Sequence, residues 1–254
     1  MALCPLFFLL FAAILQSQYR FDNWTTSDGL PQNSVLDILQ THDSYLWFTT
    51  SDGLVRFDGV KFTVFNRDNS PGMTSTRLTA LYEDPNHDLW IGSEADGLLK
   101  RHNGAFTDYG KESGLSRLGI RSRSIGSDPS GALMVLHVDG VARQRNERFE
   151  RIDTGAFPNN PLIGFPVVKW GDPVEFWSQN NNGLAAFING ETFVWGRREG
   201  LPAVEILAAG EDERGTLWLG AVGKLFRRDG AYLRQAPLPS GCSSSHDFSF
   251  VKAR

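Results

Sequence analysis

The chain has 254 residues, of which 41% are hydrophobic and 12% aromatic, with 26 glycines and a formal net charge of -4. A chain of this length buries a substantial apolar core, and no segment keeps a 3.6-residue apolar period, so a helical body is excluded. The acidic balance excludes a surface that tracks nucleic-acid phosphates, which needs a clear basic excess.

Residues 1–18 read as a leader. The apolar run over residues 6–15, followed by Gln16-Ser17-Gln18, has the length of a signal-peptide core and is too short to span a bilayer. It predicts export, cleavage after Ser17 and a periplasmic or secreted mature chain, although no Lys or Arg precedes the run. Cys4 falls inside this leader and Cys242 stands alone after it, so the mature chain is expected to have no internal disulfide and no thiol metal cluster.

Residues 19–236 read as a repeat array. In its first copy, Val35, Ile38 and Leu39 form a short apolar run, Thr41-His42-Asp43-Ser44 a polar turn, and Leu46-Trp47-Phe48-Thr49-Thr50 a second run rich in β-branched and aromatic residues. Asp52-Gly53 and Asp58-Gly59 then mark two more tight turns, where glycine adopts positive φ at no steric cost. The pattern returns with Trp90, Met134, Trp177 and Trp218 at the position of Trp47, at spacings of 43, 44, 43 and 41 residues. That period, with four strands and three short turns per copy, is the length of one four-stranded propeller blade.

The expected fold is therefore all-β, a β-propeller of about five four-stranded antiparallel blades in an incomplete ring. The blade cores fall at 34–65, 77–109, 121–152, 163–195 and 204–235. An aromatic that closes each copy (Phe62, Phe106, Phe149, Phe193, Tyr232) is expected on the outer strand, packed against the neighbouring sheet. Residues 19–24 precede Gly29-Leu30-Pro31 as Thr192-Phe193-Val194-Trp195 precedes Gly200-Leu201-Pro202, so they read as the outer strand of a closing blade. Residues 237–254 match no repeat and are expected to be disordered, the end of a truncated piece or a frame-shifted tail.

The residues that differ between copies are the candidate site. Thirteen residues before each marker stand Ser34, Arg77, Arg121, Gly164 and Glu205, where the chain reaches the innermost strand beside the second-to-third-strand turns that hold Glu94 and Gln179-Asn180. Asn33, Ser34, Arg77, Glu94, Arg121, Gln179, Asn180 and Glu205 are the expected ligand-binding residues, since arginine and amide groups around a concave mouth suit a small polar ligand such as an oligosaccharide. The alternative is that they are solvated rim. Arg143, Arg145, Arg148 and Arg151 alternate along strands and read as a solvated face.

The order Gly-Leu-Pro, apolar run, Asp-x-x-Gly-x-Leu-Trp, then Gly-Leu-x-Arg-x-Asp-Gly and Phe resembles the two-component regulator propeller repeat of periplasmic sensor regions in hybrid histidine kinases. The resemblance rests on Gly29-Leu30-Pro31, Leu46-Trp47, Gly53 to Gly59, Phe62, Asp84, Leu89-Trp90-Ile91-Gly92, Gly200-Leu201-Pro202, Asp212, Gly215 and Leu217-Trp218-Leu219-Gly220, and it departs at Met134, Val135 and Gly171-Asp172-Pro173. It implies a seven-bladed ring in the family, a non-catalytic ligand-sensing role in signal transduction, and downstream transmembrane and output modules in a full-length receptor, with a homodimer as one arrangement. No catalytic residue, cofactor or metal is expected. His42, His87, His102 and His137 read as turn residues without the geometry of a catalytic pair, and a secreted propeller lyase or hydrolase is the alternative function.

Overall fold

The computed structural model describes residues 23–110, 113–115, 119–120, 124–128, 130–137, 140–153, 167–169, 175–180, 183–188, 191–202, 204, 206–212 and 214–238. Most of the leader and tail expectations, at 1–18 and 237–254, therefore lie outside the described residues, as does most of the strand expected at 19–24.

Among the described residues, strands pair into five four-stranded antiparallel sheets, each a meander in sequence order. Blade one holds β1 (Val35–Gln40), β2 (Leu46–Thr50), β3 (Gly53–Phe57) and β4 (Phe62–Phe65). Blade two holds β5 (Leu78–Glu83), β6 (Leu89–Ser93), β7 (Leu98–His102) and β8 (Ala105–Tyr109). Blade three holds β9 (Ile125–Ser127), β10 (Leu133–His137), β11 (Gly140–Arg145) and β12 (Arg148–Arg151). Blade four holds β13 (Val167–Lys169), β14 (Glu175–Asn180), β15 (Gly183–Ile188) and β16 (Glu191–Trp195), and blade five holds β17 (Ile206–Glu211), β18 (Leu217–Ala221), β19 (Lys224–Asp229) and β20 (Tyr232–Ala236). The all-β propeller expectation holds. The inner strands follow one another, β1 against β5 and β5 against β9.

Each repeat marker sits near the start of the second strand of its blade and faces the third. Trp47 pairs with Arg56, Trp90 with Lys100, Met134 with Arg143, Trp177 with Ala186 and Trp218 with Arg227. Three inner strands slip register at equivalent points, Val35/Asp37, Leu78/Ala80 and Ile206/Ala208. Such a bulge re-aims the side chains around it, and here Asp37 Oδ2 accepts a 3.0 Å bond from the Leu81 N–H of the next blade.

A four-stranded sheet has two apolar faces and can bury them only against its neighbours, and the core is accordingly interfacial. Trp47 and Leu54 of blade one cluster with Leu78, Ile91 and Leu99 of blade two. Trp90 and Leu98 of blade two cluster with Ile125, Val135 and Phe149 of blade three, and Leu184 and Trp195 of blade four with Leu219, Phe226 and Leu233 of blade five. Trp90 is 1% exposed and meets Tyr109 and Phe149 edge to face.

The Gly-Leu-Pro signature is a part of the same interface. Leu30, Met73, Leu115 and Leu201 are all buried, each within the cluster of the blade that follows it. The residue before each is a glycine at positive φ, and at three of them, Gly72, Gly114 and Gly200, the reason is steric: a Cβ on Gly72 would lie 2.2 Å from the Phe106 carbonyl oxygen. A Cβ on Gly114 would lie 2.3 Å from the Phe149 carbonyl oxygen, and one on Gly200 would lie 2.2 Å from that of Leu233. The linker backbone thus rests on the outer strand of the next blade, and its leucine plugs the core beneath.

Not every closing aromatic does what the repeat pattern predicts. Phe106 and Phe149 enter the inter-blade clusters, whereas Phe62 packs within blade one against Phe57 and Phe48. Phe193 and Tyr232 are exposed, at 40% and 58%, and Trp195 and Leu233 are buried in their place. Side chains alternate across a strand, so the one-residue offset between Tyr232 and Leu233 turns the aromatic of blade five to the other face; Phe193 and Trp195, two residues apart, share a face and stack on each other. Trp24 stands against Phe57 and Phe62, where a preceding outer strand was expected.

The plug makes a contrast in stability testable by urea unfolding. Gly215, at φ +75 with open space around its Cβ direction, should cost about 1 kcal/mol as Gly215→Ala. Gly200→Ala adds a backbone clash and should cost roughly 2–4 kcal/mol; equal losses would remove the steric role of the linker glycine.

Candidate functional site

The inner strands run between two rims, and chemistry-bearing residues collect on both. At the rim where the inner strands begin, the linkers are stitched to the second-to-third-strand turns. Gly53 N–H donates to the Thr76 carbonyl at 2.8 Å, Glu94 N–H to that of Arg77 at 2.9 Å, and Gly119 N–H to that of Glu94 at 2.9 Å. Beneath these, Thr50 Oγ1 and Ser93 Oγ, both fully buried, close their turns by donating to the Gly53 and Gly97 carbonyls at 3.0 Å.

Of the predicted ligand residues, this rim brings Arg77 and Glu94 together as an exposed ion pair, with side chains 64% and 53% accessible. The Glu94 carboxylate raises the guanidinium pKa of Arg77 further above its ordinary value. Asn33 is exposed and Oδ1 accepts from Thr26 N–H at 2.8 Å, which holds the turn before β1, and Ser34 is exposed beside it. Gln179 and Asn180 close β14. Arg121 and Glu205 lie outside the described residues.

The opposite rim carries the first hairpin turns, and in blades two, three and five an aspartate organises them. Asp84 Oδ1 accepts from the N–H groups of Asn86 and Asp88, and Oδ2 accepts from Trp90 Nε1 at 2.9 Å. Asp212 repeats this with Arg214, Thr216 and Trp218 Nε1 at 3.0 Å. In blade three, where Met134 replaces tryptophan, the freed Asp128 Oδ2 takes Arg143 Nε at 2.7 Å. The departure at Met134 is thus matched by its cross-strand arginine, and Arg143 belongs to this clamp instead of the solvated face predicted for it. Arg145 does face solvent, 64% accessible beside Glu150.

In blade one Thr41 takes the aspartate's place and accepts from Trp47 Nε1 at 3.1 Å. There His42 meets blade two. Its ring stacks on His87 at 3.6 Å between centroids, its backbone N–H donates to Glu83 Oε2 at 2.8 Å, and Nδ1 lies 2.5 Å from Glu83 Oε1. His87 Nδ1 stands 3.8 Å from the same oxygen, so three donors from two blades lie within 4.8 Å of one another. Sequence reasoning placed both histidines in equivalent turns and missed Glu83 and the stacking. The two histidines stand at different offsets, five before Trp47 and three before Trp90, so the repeat alignment does not bring them together. His102 instead pairs with Asp88, and His137 is buried at the end of β10.

A family model described as two component regulator propeller matches residues 29–52 and 72–95, the linker, inner strand and second strand of blades one and two. These two segments match the two component regulator propeller repeat. A curated relative, histidine kinase P4 of Formosa agariphila, is 44% identical over 59 residues, 23% of this chain and 4% of the kinase. Two solved extracellular domains of hybrid two-component systems from B. thetaiotaomicron superpose with TM-scores of 0.64 and 0.65 at 19% and 16% identity. They cover 82% and 85% of this chain, which spans 30% and 31% of theirs. A virginiamycin B lyase from Staphylococcus aureus shares the fold with a TM-score of 0.58 at 14% identity, over 81% of this chain and 70% of the lyase. No helix among the described residues is long and apolar enough to cross a membrane.

Two carboxyls of this rim, Asp88 and Asp128, are held below their ordinary value. Burial pushes Asp88 up, but hydrogen bonds and charge from Lys100 and His102 outweigh it and leave the carboxyl below its ordinary value. For Asp128 burial is likewise outweighed, by hydrogen bonds from Ser130 and Arg143. A carboxyl depressed in the folded state contributes stability above its unfolded value of about 4 and loses it as pH falls through the folded value. Urea unfolding should therefore show stability level near neutrality and declining below about pH 4, and Asp128→Asn should flatten that decline; an unchanged acid limb in the variant would rule the clamp out as its source.

Proposed function

We propose that the chain is a non-catalytic ligand-sensing β-propeller, an exported ectodomain segment of a two-component-type receptor that binds a small polar ligand, an oligosaccharide by chemistry. The observation that carries this is the match of two blades to regulator propeller repeats, together with 44% identity to a histidine kinase across 59 residues. In such a receptor the ligand signal would pass to transmembrane and output modules, with export directed by residues 1–18.

The rim of Arg77 and Glu94 supports the binding role. Its backbone is fixed by inter-loop hydrogen bonds while its charged side chains stay accessible, the arrangement of a preformed polar site on a rigid scaffold. Asn33, Ser34, Arg121, Gln179, Asn180 and Glu205 belong to the same proposed mouth. The Arg77–Glu94 pair is exposed and contributes little to stability, so it is free to exchange partners with a ligand.

Isothermal calorimetry against a panel of neutral and acidic oligosaccharides tests the reading, with thermal unfolding in parallel. Arg77→Ala combined with Arg121→Ala should weaken binding of the recognised glycan at least about tenfold, or 1.4 kcal/mol, while stability changes within about 0.5 kcal/mol. Unchanged affinity returns these residues to a solvated rim, and turnover of any panel member would replace the sensor reading with the lyase or hydrolase.

A further inference from the structure

The cluster of His42, Glu83 and His87 lies at the end of the inner strands away from Arg77, and the sensing rim makes no use of it. Its geometry is that of a donor set. Glu83 ends β5 with a side chain 15% accessible, and the His42 backbone N–H fixes one carboxylate oxygen, Oε2. That leaves Oε1 aimed between two imidazoles, 2.5 Å from His42 Nδ1 and 3.8 Å from His87 Nδ1. A hydrogen bond accounts for the first distance; the second is too long for one. Ligand atoms around a tetrahedral cation with bonds of about 2.0–2.1 Å stand about 3.3 Å apart, and the observed distances bracket that value. The three ligand atoms lie within 4.8 Å of one another, so side-chain adjustment with splaying of the stacked rings, now 25° apart, would seat an ion.

The backbone adds a second observation. His87 occupies a left-handed position at φ +65, and the equivalent turn positions hold Ser44, Gly131 and Gly215, also at positive φ. Where these sister turns use glycine or serine, this one carries an imidazole, a residue type that tolerates the left-handed region. His42 is likewise particular to its blade, since the residues at its offset in the other copies are Pro85, Pro129, Asp172 and Glu213.

We propose that His42, Glu83 and His87 bind a divalent transition-metal cation of the zinc class, bridging blades one and two. Two imidazole nitrogens and one carboxylate oxygen suit zinc, nickel or copper, whereas calcium and magnesium take oxygen ligands almost throughout. Water completes the coordination on the exposed side. The Glu83 carboxylate, oriented by a backbone N–H, is already held as second-layer hydrogen bonds hold the ligands of metal sites. Because the ligands come from two blades, the ion acts as an inter-blade staple and stabilises the fold in proportion to its occupancy.

The test uses the whole chain, stripped with chelator and titrated with zinc by calorimetry, with thermal unfolding at each zinc concentration. Expected are one saturable equivalent and a melting temperature that rises with zinc, with magnesium producing neither. Glu83→Gln and His42→Asn should each weaken zinc roughly 10–100-fold. His87→Gly restores the residue of the sister turns, so it should fold at least as well as the parent without zinc and lose the zinc response. His102→Asn, beside Asp88, should bind zinc as the parent does. Absence of saturable binding, binding unchanged in His87→Gly, or binding abolished by His102→Asn would overturn the site.

Discussion

The structure depends on burial between blades. A four-stranded meander cannot cover its own apolar faces, so three of the core clusters are shared between blades: Trp47 and Leu54 with blade two, Trp90 and Leu98 with blade three, Leu184 and Trp195 with blade five. The linker leucines belong to this economy, and their glycines let backbone approach backbone where a Cβ would collide. Local sequence therefore specifies each blade, while its stability is set by its neighbours.

Placing function at the rims follows from that constraint. Sheet faces are consumed by packing, so the residues left for chemistry lie in turns at the two ends of the inner strands, held by a rigid scaffold. At one rim the loops are tied backbone to backbone and leave Arg77 and Glu94 accessible. At the other, a carboxylate in the hairpin turn fixes the tryptophan of blades two and five, and an arginine where methionine replaces it. The same rim of blades one and two gathers His42, Glu83 and His87 across the interface.

Much of the fold is legible in the sequence because turn chemistry and strand alternation are local. Asp52-Gly53 and its counterparts mark hairpins, and the spacing of Trp47, Trp90, Met134 and Trp218 places them at the same point of successive blades. What escapes a linear reading depends on partners from another copy. The exposure of Tyr232 and burial of Leu233 follow from a one-residue offset, and Arg143 reads as solvated until Met134 is seen to free Asp128. For the candidate mouth, position relative to the repeat identified Arg77 and Glu94, but their pairing with each other came only from the loop geometry. The histidine cluster was hidden for the same reason, since its members sit at different offsets in different blades.

The central claim, that blades are stabilised by pairwise burial against their neighbours, is tested most directly by a double-mutant cycle across one interface. Trp90 of blade two and Phe149 of blade three meet edge to face at 6.4 Å. Urea unfolding of Trp90→Leu, Phe149→Leu and the double variant should give a coupling of about 0.5–1.5 kcal/mol. The same cycle between Trp90 and Leu233 of blade five should be additive within about 0.5 kcal/mol. Additivity at Trp90 and Phe149 would contradict the account.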